Sequence, residues 1–195
     1  MNKKHFTLIE LLVVIGIIAI LSAILLPVLS GAAKKADMSK ARSEIATLVN
    51  AIKQYESVYG VLPVPDSPAA EAVSDYEELI KILQGNPTDT AKNSRKQKFL
   101  DIVGNNPGEY KDPWDESYMV LLDHDYDGKI NTLTNIPPGV HATELNFSVV
   151  VWTEGPDGES NSGDTQEDRK HKTNRDNIYS FPTLWSKEDG HNISR

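Results

Sequence analysis

From Leu11 to Leu29 the chain reads LLVVIGIIAILSAILLPVL, without one charged residue. As a helix rising about 1.5 Å per residue, this stretch matches a hydrocarbon core roughly 30 Å thick, so it can span a bilayer. It outruns the apolar region of a cleaved secretory signal, which is about 7–15 residues long. Lys3 and Lys4 precede it. The positive-inside tendency keeps that end cytoplasmic and sends everything after Ser30 across the membrane. The expected placement is a single membrane pass, with the bulk of the chain extracytoplasmic.

Glu10 lies at the entrance to this run. An acid that enters lipid unpaired is expensive, and its default reading is functional, with a partner to be named. The alternative is an acid left hydrated at the interface, with no role. The surrounding residues FTLIELLVVIGIIAIL resemble the N-terminal segment of type IV pilins and of the pseudopilins of type II secretion systems. In that family a prepilin peptidase cuts on the cytoplasmic side just before the Phe, and the new N-terminal amine is methylated. The acid five residues into the mature chain then pairs with the amine of a neighbouring subunit.

The resemblance implies processing between His5 and Phe6, a mature chain beginning at Phe6, and Glu10 as the assembly acid. A carboxylate and an ammonium buried together cost far less than either alone, so the pair would specify assembly register. Thr7 also matches the family pattern, and Pro27 falls where these proteins have a helix-kinking proline. Pro27 removes one i to i−4 hydrogen bond, so the helix is expected to bend or open locally there. One position departs from the pattern: the residue before the cut is usually Gly, sometimes Ala, and here it is His5.

Beyond Pro27 the helical pattern continues. Met38, Ala41, Ile45, Leu48, Ile52, Tyr55 and Tyr59 recur at spacings of three and four and form one apolar stripe. Lys34, Lys35, Lys40, Arg42, Glu44, Lys53 and Glu56 lie off it and are expected to face solvent or neighbouring subunits. Gly60 suits a helix C′ position and Pro63 forbids continuation. Phe6 to Tyr59 would make one rod about 80 Å long. A second, shorter helix is expected around Tyr76, Leu79, Ile80 and Leu83. Its start is either a Ser67 cap with Pro68 at the first helical position or a Ser74 and Glu77 capping box, and Gly85 and Pro87 end it. Thr88 to Lys98 is polar and basic and reads as a loop, followed by a short apolar FLDIV of open form.

From Tyr110 the signals turn to strands: SYMVLLD, NFSVVVWT and NIYSF are short and rich in β-branched or aromatic residues. They predict an antiparallel sheet of about three strands with the long helix across one face. DPWDESYMVLLD resembles the DPWGNPY strand entry of major pseudopilins, with Asp115 to Ser117 in place of the Gly-Asn-Pro turn. The implied fold is α+β and pilin-like: a long N-terminal helix, membrane-spanning in its first half, packed on a small antiparallel sheet with calcium-type loops. The expected division is a leader over 1–5, a transmembrane and assembly half-helix over 6–29, and a periplasmic half-helix over 30–62. A variable helical region over 63–109 and the sheet with its C-terminal loops over 110–195 complete it.

Two loops carry acids suited to a hard cation. DHDYDGKIN sets Asp123, Asp125 and Asp127 at alternate positions, with Gly128 where an EF-hand-type loop makes its sharp turn and Asn131 further on. Lys129 offers a backbone carbonyl. The full motif has a bidentate Glu at position twelve, where Thr134 stands. A solvated acidic turn, which Asp-Gly favours, is the alternative. The second loop, EGPDGESNSGDTQEDRKHKTNRDNIYSF, sits where major pseudopilins carry a C-terminal calcium loop. The resemblance offers Asp157, Asp164 and Asp176 as ligands. The chain departs from the pattern there by inserting Arg169, Lys170, His171 and Lys172, and a plain polar loop is again the alternative. Oxygen ligands of this kind suit calcium and not zinc.

The chain has no cysteine and so no disulfide to close its loops. Many pilins close the C-terminal loop with a disulfide and major pseudopilins with calcium, so its absence favours the second group. A net charge of −8 argues against nucleic acid as a partner, since phosphate recognition needs clustered Lys and Arg. There is no phosphate-binding Gly loop, H-E-x-x-H or G-x-S-x-G, so neither an enzyme nor an organic cofactor is expected.

The expected function is a structural pseudopilin that polymerises through its N-terminal helix into a type II secretion or pilus-like filament for protein export. Its expected partners are other copies of itself and related pseudopilins, the prepilin peptidase, the inner-membrane secretion platform and the membrane. The alternative is a monomeric, single-span, membrane-anchored extracytoplasmic binding protein.

Overall fold

Helix α1 runs from Leu8 to Tyr59, 52 residues, and continues through Pro27. The computed structural model describes residues 7–65, 72–101, 106–131, 137, 140, 144–160, 172–181, 183–185 and 192–194; at 26–28, 131, 172, 175, 183–185 and 192–194 only the backbone is described. The chain divides into two units, Met1–Asp37 and Met38–Arg195. In the first, the large apolar side chains of α1 from Leu8 to Leu25, and Leu29, are all exposed. This helix is long and apolar enough to cross a membrane.

In the second unit α1 behaves as its stripe predicts. Ala41, Ile45, Leu48, Ile52 and Tyr55 are buried, Met38 and Tyr59 pack at the margin, and Ala51 widens the buried face. Each fully buried Leu or Ile of this kind contributes about 1.5–3 kcal/mol. The helix ends as expected: Gly60 adopts φ +74° and its N–H donates to the Glu56 carbonyl at 2.7 Å, an αL cap. Glu44 departs from the expectation that it faces solvent. Its carboxylate accepts from the buried Tyr118 hydroxyl at 2.8 Å, and its backbone carbonyl accepts from the Tyr110 hydroxyl at 3.2 Å. Two phenols from the sheet side outcompete water for it.

Helix α2, Tyr76–Leu83, buries Leu79, Ile80, Ile82 and Leu83. Its cap is Asp75, whose side chain accepts from the Glu78 N–H at 2.9 Å. The cap thus lies one residue beyond the expected Ser74, and Ser67 lies outside the described residues. A carboxylate at the cap does the same work as a hydroxyl and also meets the positive helix end. Gly85, φ +78°, and Asn86 close the helix by donating to the carbonyls of Ile82 and Lys81, a Schellman pair.

The strands are β1 (Met119–Leu122), β2 (Ile130–Asn131), β3 (Glu144–Leu145), β4 (Val149–Thr153), β5 (Ile178–Tyr179), β6 (Thr183–Trp185) and β7 (Asn192–Ser194). The three expected strand segments are β1, β4 and β5, which form one antiparallel sheet in the order β1-β4-β5; β2 pairs with β3 and β6 with β7. β4 is buried along its whole length. Val149 and Val151, with Val120, Leu122 and Ile178, face α1 and α2. Val150 and Trp152, with Leu121, face a second cluster of Ile130, Val140, Leu145 and Phe181. The period-two alternation of strands explains the split, and the continuous run VVVW reflects burial on both faces.

The DPWDES entry is a tight turn around buried Asp112. Its Oδ1 accepts from the N–H groups of Trp114 and Glu116, 2.9 Å each, and its Oδ2 from the Thr153 hydroxyl of β4. Asp115, standing where the family turn has Gly, is forced to φ +73°. A left-handed L-residue costs about 1–2 kcal/mol that Gly avoids. Asp115→Gly is therefore expected to raise stability by about 1 kcal/mol, read as a higher urea midpoint with unchanged slope. An unchanged or lower midpoint would show that the Lys111 to Asp115 contact at 3.0 Å outweighs the strain.

Candidate functional site

At the start of α1, Thr7 and Glu10 form a reciprocal cap. The Thr7 N–H and hydroxyl both donate to Glu10 Oε2, at 2.8 and 2.7 Å, and the Glu10 N–H donates to Thr7 Oγ1 at 3.4 Å. This is a capping box, with Thr at the cap and Glu three residues on. The T-x-x-E pattern was legible in FTLIE, and sequence reasoning passed over it in favour of the longer-range role of the acid. Glu10 therefore has an intrachain partner while remaining exposed, as do the apolar residues that follow it. His5 and Phe6 lie outside the described residues. Pro27 is placed within α1 by its backbone.

The acidic loop between β1 and β2 brings together three predicted residues. One carboxylate oxygen from each of Asp123, Asp125 and Asp127 lies within 4.8 Å of the others. The loop is held at both ends. The Asp123 N–H donates to the Ser148 carbonyl at 3.0 Å, and Ile130 is fully buried in the second cluster. Inside the turn, the Gly128 N–H donates to Asp123 Oδ2 at 3.0 Å and the Lys129 N–H to Asp127 Oδ1 at 2.8 Å. Gly128 adopts φ +83°, as the sharp turn requires.

Asp123 is 3% exposed, and its Oδ1 has no hydrogen-bond partner. Burial first, and then the facing Asp125 carboxyl, push the Asp123 carboxyl above its ordinary range. The nearest cationic side chain in sequence, Lys129, is engaged elsewhere: its Nζ meets Glu144 of β3 at 2.7 Å. Among the described residues no salt bridge reaches the three acids. Asn131 is placed in β2 by its backbone, paired with Glu144. Sequence reasoning missed Tyr126, whose hydroxyl accepts from the Leu62 N–H at 2.6 Å and so ties this loop to the chain just past the end of α1.

The C-terminal loop is described at its two ends. Asp157 closes a local turn, its Oδ1 accepting from the Glu159 N–H at 3.1 Å. Asp176 lies against Gly155: a Cβ on that glycine would come within 2.5 Å of the Asp176 carbonyl oxygen. Gly155, at φ +79°, is thus needed both for its backbone angle and for this close approach. Asp164 lies outside the described residues. Among the described residues the acids of this loop gather no ligand cluster of the kind formed by the β1–β2 loop.

Neither a model of a known protein family nor a solved structure matches the chain. Curated relatives do. The type II secretion system core protein G of Escherichia coli (strain K12) is 32% identical over 120 residues, covering 56% of this chain and 76% of the relative. Its counterpart in Vibrio cholerae is 31% identical over 134 residues, covering 68% and 80%. The type IV major pilin protein PilE of Neisseria gonorrhoeae is 32% identical over 103 residues, covering 50% and 62%. With the long apolar helix, its second half packed on a small antiparallel sheet, these likenesses establish that the chain belongs to the family of type II secretion system core protein G, the major pseudopilins, and has their pilin-like α+β fold.

Proposed function

We propose that this protein is a structural subunit, with no catalytic step of its own, that polymerises through α1 into a filament serving protein export. The observation that carries the reading is the beginning of α1: a charge-bearing cap at Thr7 and Glu10, then a long run of exposed apolar side chains. Such a surface needs a cover, and lipid before assembly and neighbouring helices after it both suit it. Prepilin peptidase cuts between His5 and Phe6. The freed and methylated Phe6 amine of one subunit then exchanges with the Thr7 donors for Glu10 of the next. The basic leader keeps the N-terminus cytoplasmic, so the Met38–Arg195 unit stands on the far side of the inner membrane, and the secretion platform in that membrane receives the subunit. Pro27 lets the helix deform as it leaves lipid.

Mass spectrometry of the protein from its native membrane tests the processing step on which assembly rests. The expected N-terminus is N-methylated Phe6. An intact MNKKH terminus would leave Glu10 no freed amine to meet and would return the protein to the single-span, monomeric alternative.

A further inference from the structure

The β1–β2 loop of the Met38–Arg195 unit holds an unpartnered buried carboxylate oxygen. Three carboxylates converge within 4.8 Å, and one of them is almost wholly buried with a bare oxygen. A buried acceptor without a donor is destabilising, and like charges at this separation repel. Among the described residues the other buried acids, Asp112 and Glu78, are hydrogen-bonded, so converging carboxylates around a bare buried oxygen are the arrangement that suits a bound cation. We infer that Asp123, Asp125 and Asp127 bind a divalent cation, calcium rather than magnesium, whose binding braces the junction between α1 and the sheet.

The ligand set follows from the loop. Asp123, Asp125 and Asp127 supply carboxylate oxygens at alternate positions, and the Lys129 carbonyl follows the turn at Gly128. Their protein partners leave room for an ion. Asp123 Oδ1 is free, while Oδ2 is held by the Gly128 N–H. An all-oxygen set on an irregular loop suits the larger, geometrically tolerant calcium ion, because magnesium demands near-ideal octahedral geometry and gives up water reluctantly. Without a bidentate Glu at the end of the loop, affinity falls in the range of extracellular modules, with a Kd of about 10⁻⁴–10⁻³ M.

The consequence lies at Tyr126, between the second and third acids. Its hydroxyl accepts from the N–H of buried Leu62, three residues beyond the last residue of α1. Ordering the loop therefore orders the exit of α1. This inference stands independently of assembly, since it concerns the Met38–Arg195 unit alone.

The test uses the full chain in detergent micelles, stripped with a chelator and melted in 10 mM calcium chloride, 10 mM magnesium chloride or chelator alone. Calcium is expected to raise the Tm by about 5 °C and magnesium by clearly less. The double variant Asp125→Asn with Asp127→Asn changes two exposed side chains and keeps their amide-oxygen acceptors, so it should fold. It is expected to lose the calcium shift and, in chelator, to melt higher than the unmodified chain because the repulsion is gone. This opposite sign in the two conditions separates a cation site from an acidic turn. Absence of a calcium shift in the unmodified chain, or an undiminished shift in the double variant, as an ion held by the C-terminal loop would give, overturns the inference.

Discussion

Glu10→Gln is expected to yield a protein that folds, inserts and keeps the start of α1, yet fails to assemble. The cap explains why Gln is the informative choice. A capping box accepts Glu or Gln at its third helical position, so an amide oxygen can still receive the Thr7 N–H and hydroxyl that now reach Glu10 at 2.8 and 2.7 Å. What Gln cannot supply is a charge for a neighbour's ammonium among apolar side chains. Removing one partner of such a pair leaves the other uncompensated, and association should weaken by a hundredfold or more. Glu10→Ala removes charge and cap together, so the two variants separate the roles. Filament formation scored by immuno-electron microscopy, against membrane insertion scored by fractionation, is the measurement. Wild-type filaments from Glu10→Gln would show that register comes from packing of the apolar helix and that the acid only caps it.

Asn93→Ala is expected to lower the stability of the Met38–Arg195 unit by about 3–5 kcal/mol, a large part of the 5–15 kcal/mol typical of a domain. Asn93 is fully buried and uses both ends of its amide. Its Nδ2 donates to the carbonyls of Ile82 and Gln97, 2.8 Å each, while its Oδ1 accepts from the Tyr59 hydroxyl at 2.6 Å and the Gln97 N–H at 3.0 Å. One side chain thus joins the end of α1 to the end of α2. Truncation leaves several buried polar groups without partners at once. Asn93→Asp keeps the shape but turns a donor into a third oxygen facing two carbonyls, and is expected to cost at least as much at neutral pH. Urea unfolding in detergent, followed by tryptophan fluorescence, measures both. A change under about 1 kcal/mol for Asn93→Asp would mean that the two carbonyls are as well satisfied by water, and that the amide does not hold the helices together.

Asn93 also shows where sequence reading stopped. In Thr88 to Lys98 nothing but polarity is visible, and polarity reads as a solvated loop. The segment has no regular structure, yet it is pinned through Asn93, through Lys92 Nζ to the Pro65 carbonyl, and through the Thr88 N–H and hydroxyl to buried Glu78 at 2.7 and 2.6 Å. Which polar residue turns inward depends on carbonyls that α2 leaves at its end, and no local pattern encodes that. Glu44 was misjudged for the same reason. Its place off the apolar stripe was legible, whereas the two tyrosine hydroxyls waiting there come from Tyr110 and Tyr118, far along the chain.

The acidic loop was partly legible. Alternating aspartates before a glycine announce a turn with converging carboxylates, because the spacing is local, and the three acids do converge. That Asp123 alone would be buried with an unpartnered oxygen follows from strand pairing: β1 delivers it beneath the Ser148 carbonyl beside β4. Tyr126 had no signal at all, since its partner Leu62 lies in a different element.

The sequence by itself determined the features that depend on neighbours along the chain. These are the uncharged apolar helical run from Leu11 to Leu29, the stripe from Met38 to Tyr59, the Gly60 stop and the three strand segments of the main sheet, each set by periodicity, charge and backbone preference within one or two turns. Only the tertiary structure decided which polar groups those elements would bury against one another. It put the second apolar cluster over the far face of β4, chose Asp75 over Ser74 as the cap of α2, and drew Glu44, Asn93 and Asp123 inward. The physical reason is the same in each case. A buried donor or acceptor must find its complement in space, and that complement is supplied by chain that is distant in sequence.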